Sequence, residues 1–157
     1  MAGLEALSDW PGAVLLREEV ALYAAVNAAH IFALALLVGA IATLDLRLLG
    51  LFPAASPAVL APPLVRVAAA GLLLAVLTGF ALFSVRPVAY AQNPAFLAKL
   101  ALVGLGIANA LLLRLGPDWR RLMARGAVSL RLKAAALVSL LLWAGAVFAG
   151  RWIGFLG

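Results

Sequence analysis

The chain has 157 residues, 67% of them apolar and 11% charged, with a net charge of +6 and no cysteine. A soluble domain is nearer half apolar and a quarter charged, so in water this chain would expose broad apolar patches; lipid is the solvent its composition fits. The missing cysteines exclude disulfides, thiolate metal sites and a cysteine nucleophile.

The length predicts one membrane domain. Arginine far outnumbers lysine (only Lys99 and Lys133) and alanine and leucine dominate, a usage that points to a bacterium of high GC content and to its inner membrane. A basic excess can signal nucleic acid. Here the charges gather at the ends of apolar runs, so the expected partner is the lipid bilayer, with no nucleic acid.

In chain order, the opening MAGLEALSDW lacks a basic region followed by an apolar run and does not read as a cleaved signal peptide. Residues 4–19 set Trp10, Leu15 and Leu16 among Arg17, Glu18 and Glu19, the pattern of a short amphipathic segment lying in the interface. Four apolar runs follow, each able to cross about 30 Å of hydrocarbon, which takes about 20 helical residues. The first, 20–49, is the longest and should tilt or project. The second, 64–84, is opened by Pro62-Pro63, residues suited to a helix start. The third, 94–115, has Asn93 as N-cap and Pro94 in its first turn, and Gly116-Pro117 stops it. The arginine-rich stretch RLGPDWRRLMARGAVSLRLK is a second interfacial segment, and the fourth span covers 134–155.

The expected fold is therefore all-α, an integral membrane four-helix bundle whose short connections make successive spans antiparallel neighbours. Small residues at four-residue spacing predict close helix contacts: Ala35, Gly39 and Thr43 in the first span, Gly71, Ala75 and Gly79 in the second, Ala146 and Gly150 in the fourth. Arg47, Arg66, Arg114, Arg120, Arg121, Arg125, Arg131 and Lys133 fall on one side of the membrane. Arg17, Arg86, Lys99 and Arg151 fall on the other. This excess of eight to four predicts a cytoplasmic arginine-rich loop, with both termini outside.

Ionisable groups inside a span are the default places to look for function. Asp45 and Arg47, with Arg66 and Arg114, read as a charged cluster that anchors helix ends at the headgroups. The opposite half is more informative. Tyr23, Asn27 and His30 lie at i, i+4 and i+7, a stripe predicted to face the bundle interior. Thr78, Tyr90 and Lys99 share that half, with Arg86 just above. His30 is the single histidine, a candidate ligand or proton carrier, and Asn27 one turn earlier is placed to orient its ring. The first and third spans are diagonal in an up-down bundle, so His30 and Lys99 are expected to meet across one cavity.

Absences exclude other chemistry. The spans hold no carboxylate pair for acid–base hydrolysis, no closed zinc or copper spacing, and no nucleophile elbow or phosphate loop; GLGIAN lies mid-span and is no dinucleotide fingerprint.

The strings AVNAAHIFALALLVGAIATLDLRLLG and NPAFLAKLALVGLGIANALL resemble an uncharacterised group of bacterial four-span inner-membrane proteins. That group is distantly similar to the HemJ-type protoporphyrinogen oxidases and to the membrane domain of copper-resistance protein D. His30, Gly39, Arg47 and Lys99-Leu100 stand where HemJ-type proteins carry a histidine, a glycine, an arginine at a helix end and a lysine-leucine helix start. The resemblance implies His30 as an axial ligand of haem b, with Lys99 near a tetrapyrrole carboxylate. A second histidine of that family is replaced in the region of Asn109, and Met1 and Met123 are the chain's two methionines, Met123 at the wrong depth for a metal on His30. Bis-histidine haem within one chain is thereby excluded. Iron on His30 would be five-coordinate, or take Tyr23, Lys99 or a second subunit as its other ligand.

Three functions stay open. One is a redox protein binding haem or a tetrapyrrole, with His30, Asn27, Tyr23, Lys99 and Arg86 around it. The second is a non-catalytic accessory or scaffold subunit packing through its small residues, as a homo-oligomer or in a larger complex. The third is a small oligomeric permease or channel lined by His30 and Lys99.

Overall fold

The computed structural model of the chain describes residues 2–156; Met1 and Gly157 lie outside the described residues. It is a helical membrane bundle, with no strand among the described residues. Two short helices, α1 (Ala2–Ser8) and α2 (Pro11–Glu18), precede the long α3 (Val20–Leu49). Then come α4 (Pro57–Val85), the short α5 (Pro87–Gln92), α6 (Pro94–Leu115), the short α7 (Pro117–Arg125) and α8 (Leu130–Leu156). Helices α3, α4, α6 and α8 are each long and apolar enough to cross a membrane. The expected interfacial segment is α1 and α2, with Ala13 and Leu16 buried.

The ends of α3 and α6 follow from their sequences. Gly50 closes α3 in the left-handed region (φ 113°), so that its N–H donates to Arg47 O (3.1 Å) and the Leu51 N–H to Leu46 O (3.0 Å). The 30 residues of α3 extend about 45 Å at roughly 1.5 Å per residue, longer than the hydrocarbon layer. Asn93 caps α6 as predicted: its Oδ1 accepts from the N–H groups of Ala95 (3.0 Å) and Phe96 (3.3 Å). Its Nδ2 also donates to Ile153 O (3.3 Å), one of the unpaired carbonyls in the last turn of α8. Asn93→Ala removes the cap and this tie together, and should lower unfolding stability in detergent by about 1–2 kcal/mol. A denaturation midpoint equal to the parent's would show that neither matters.

Two boundaries differ from expectation. Helix α4 starts at Pro57, not beyond Pro62-Pro63, and both prolines lie inside it. Pro57 presets the first turn, and the prolines remove two N–H donors near the helix start, where their unpaired carbonyl partners remain within reach of interfacial water. Helix α8 starts at Leu130 because Ser129 Oγ accepts from the Leu132 N–H (3.2 Å), a cap one turn ahead of the apolar run.

Packing joins two tight pairs. Helix α3 lies along α4 and α6 along α8, while α3 also touches α8. Helices α4 and α6, consecutive spans, have no close backbone approach among the described residues and meet through side chains, Phe83 stacking on Phe96, so they are not the tightly packed neighbours expected of successive spans. The helix order is thus α4, α3, α8, α6. Gly71, Ala75 and Gly79 do lie on the face of α4 turned toward α3. On α3 the buried line is Ala33, Leu37, Ala40 and Leu44, whereas the predicted Ala35, Gly39 and Thr43 are exposed. Gly71 rests on the α3 backbone at Ala33 and Leu37, so the contact face of α3 is the one that carries these two residues, and small size alone mispredicted it. At the arginine-rich end, Leu122 of α7 is fully buried among Leu44, Leu48, Ala61, Leu132 and Ala136 and plugs the bundle.

Candidate functional site

Polar groups occupy two depths. In the half that carries the termini, His30 projects from α3 toward α4. Thr78 Oγ1 donates to Leu74 O (2.7 Å), the back-bond usual for a threonine inside a helix. With that hydrogen on Leu74 O, His30 Nδ1–H donates to the Thr78 oxygen (2.9 Å) and Nε2 is the unprotonated ring nitrogen. Gly79 makes the room: a Cβ there would stand 3.1 Å from His30 Cε1 and 4.0 Å from Nε2.

Lys99, half-buried on α6, lies along Gly150 of α8, where an added Cβ would meet its Cδ at 3.5 Å and its Nζ at 3.7 Å. Helices α3 and α6, which carry His30 and Lys99, have no close backbone approach to each other. Tyr23 is half-buried beside Tyr90 of α5. Burial, and then the neighbouring Tyr23 hydroxyl, hold the Tyr90 phenol above its ordinary pKa. Phe83 and Phe96 stack at 5.4 Å under Tyr90 and tie the ends of α4 and α6 through α5.

Two expected members are not brought in. Arg86 is exposed at the joint of α4 and α5. Asn27 is exposed as well, so the stripe does not face inward as a whole, and Thr78 rather than Asn27 orients His30. The reason is angular: Asn27 lies about 60° around α3 from His30, away from the line of Ala33 and Leu37. The shared cavity expected for His30 and Lys99 is not the void that touches all four long helices, whose lining includes neither residue.

That void is in the arginine-rich half. It measures about 270 Å³, touches all four long helices, and is lined mainly by aliphatic side chains, with Asp45, Ser139, Trp143, Asn109, Trp119 and Arg114 among them. A second recess of about 250 Å³ shares Arg114 and Trp119 and adds Arg66 and Met123. Asp45 is only 6% exposed, and its Oδ2 has no hydrogen-bond partner. Ser139 of α8 lies beside its carboxyl. The expected cluster with Arg47 does not form. Positions two apart point to opposite helix faces, and Arg47 instead donates to the carbonyls of Ala55 and Pro53 in the α3–α4 turn. Asp45 is the residue that sequence reasoning undervalued; an acid within a span was itself the signal.

Among the described residues, no group of three or more His, Cys, Asp or Glu side chains could hold a metal ion. Fold and polar layers together define a multi-pass helical membrane protein with polar groups at two depths. No family model matches the chain, and neither a curated protein nor a solved structure does.

Proposed function

We propose that the chain is a redox protein of the bacterial inner membrane, with both termini outside, that binds haem b or a related tetrapyrrole at His30. The observation that carries this reading is the His30–Thr78 bond: with Nδ1 held by Thr78 and the ring packed against Gly79, the Nε2 lone pair is the free donor of the imidazole. The residues fit one axial position, since a second histidine is missing and the half-buried Lys99 and Tyr23 are the other donors at that depth. A bound haem would supply one-electron chemistry. The protein's own residues would bind and orient it: His30 would hold the iron through Nε2, while Lys99 and the exposed Arg86 would offer cations for propionates.

The test is the absorption spectrum of the purified full-length protein before and after dithionite, with hemin added if the protein is colourless. A Soret band that shifts on reduction is expected. A protein that takes up no hemin would set this reading aside in favour of a non-catalytic subunit. For orientation, a reporter active only in the periplasm should work when fused to the C-terminus and fail when inserted beside Arg125, because eight of the twelve Lys and Arg residues lie on the latter side. The reverse pattern would overturn the topology.

A further inference from the structure

From the arginine-rich half, independently of the His30 reading, we infer that the chamber around Asp45 is a binding site for a lipophilic amine in its protonated form. Asp45 is the single acid in the four spans, it is 94% buried by its 6% exposure, and its Oδ2 lacks any partner. A buried carboxyl oxygen left without a donor is a standing deficit, and a charged donor removes it best. Nearby arginines do not serve. Arg47 is turned to the α3–α4 loop, the Arg114 guanidinium sits 5.9 Å over the Trp119 ring, and Arg66 is exposed at the outer recess.

Asn109 gives one of its two Nδ2 hydrogens to Ala135 O (3.0 Å), and its carbonyl oxygen is an acceptor at the chamber wall. The chamber thus holds two acceptors, Asp45 Oδ2 and Asn109 Oδ1, and one unpartnered donor, Trp143 Nε1–H, inside an apolar wall that includes Trp143 and Trp119; the one charge-bearing group among them is Asp45. An ammonium presents up to three N–H donors, and aromatic faces add attraction for its charge. The volume, about 270 Å³, is near the lower edge of small-ligand pockets and suits one aryl or short alkyl body. Entry between α4 and α6, which have no close backbone approach to each other, leaves both tight helix pairs packed. The ligand class is thus an amphiphile with an apolar body and one cationic nitrogen that bears hydrogens.

Both tryptophans in the wall make the test optical. Full-length protein in detergent is titrated at neutral pH with 4-phenylbutylamine, its uncharged analogue 4-phenylbutanol and the anion 4-phenylbutyrate, following tryptophan fluorescence and calorimetry. The amine should bind at least tenfold tighter than the alcohol, and the anion should not bind. Asp45→Asn should bring amine affinity down to that of the alcohol and leave the alcohol's unchanged. The comparison of the three probes on the parent protein needs no variant, so it stands even if Asp45→Asn fails to fold. Equal affinity for amine and alcohol, preference for the anion, or full amine affinity in a folded Asp45→Asn would each overturn the proposal.

Discussion

Gly71→Leu should leave no folded four-helix unit in detergent, and Gly71→Ala should fold with about 2–3 kcal/mol less stability. A Cβ at this position would stand 2.7 Å from Leu37 N, 2.9 Å from Ala33 O and 3.1 Å from Leu37 Cα. All three atoms belong to the backbone of α3, so no side chain can turn aside, and the clash is relieved only by moving α3 and α4 apart. That pair has the most extensive helix contact in the bundle, and in lipid such contacts hold by close packing rather than by a hydrophobic drive between helices. Gly39 and Gly104 are the controls, since a Cβ at either meets nothing within 4 Å. There alanine should be neutral or stabilising by up to about 1 kcal/mol, because glycine is the poorer helix former. Gly106 lies between these cases: its Cβ would press on the Trp143 ring at 3.0–3.2 Å, a side chain that can shift. Unfolding of the four Gly→Ala variants in detergent, with size-exclusion profiles, checks the order. If Gly71→Ala unfolds like Gly39→Ala, the contact does not hold the pair together.

The sequence exposed the membrane class and the four spans because a run of apolar residues is a one-dimensional signal. Asn93 was legible for the same reason, a cap being a local bond between neighbours in the chain. What failed was the azimuth of each helix. Gly39 looked like Gly71 as a letter, yet the first faces outward and the second fits into α3. Asn27 and Asp45 make the point within one helix: they lie eighteen residues apart, about five turns, and so on the same line of α3. Helix α8 covers that line at Asp45, where Ser139 meets the carboxyl, but leaves Asn27 exposed. Which neighbour covers a helix face is a long-range fact, and no spacing within the helix carries it. The role of Thr78 was hidden likewise, since its bond to His30 joins residues 48 positions apart.

His30→Ala should abolish hemin binding by the full-length protein, and Thr78→Val should weaken it about 10- to 100-fold, the usual cost of removing the partner that orients a ligating imidazole. Valine keeps the shape of threonine but cannot accept from Nδ1–H, so the ring in Thr78→Val loses the bond that fixes its tautomer and rotation. Thr78→Ser restores an oxygen that can back-bond to Leu74 O and should recover most of the affinity. Lys99→Ala should weaken binding without unfolding, because Lys99 lies along Gly150 in the half-buried rim and takes part in no ion pair among the described residues. Asn27→Ala should do nothing, its side chain being exposed and away from the ring. The contrast between Thr78→Val and Asn27→Ala separates an oriented ligand from a polar stripe that merely tolerates a chromophore. The measurement is hemin titration followed at the Soret band, with thermal unfolding of each variant alongside. Retention of the full band in a folded His30→Ala would remove the histidine from the site. Equal affinities for Thr78→Val and the parent would mean that the imidazole needs no fixed tautomer to bind, and the observation on which the haem reading rests would no longer support it.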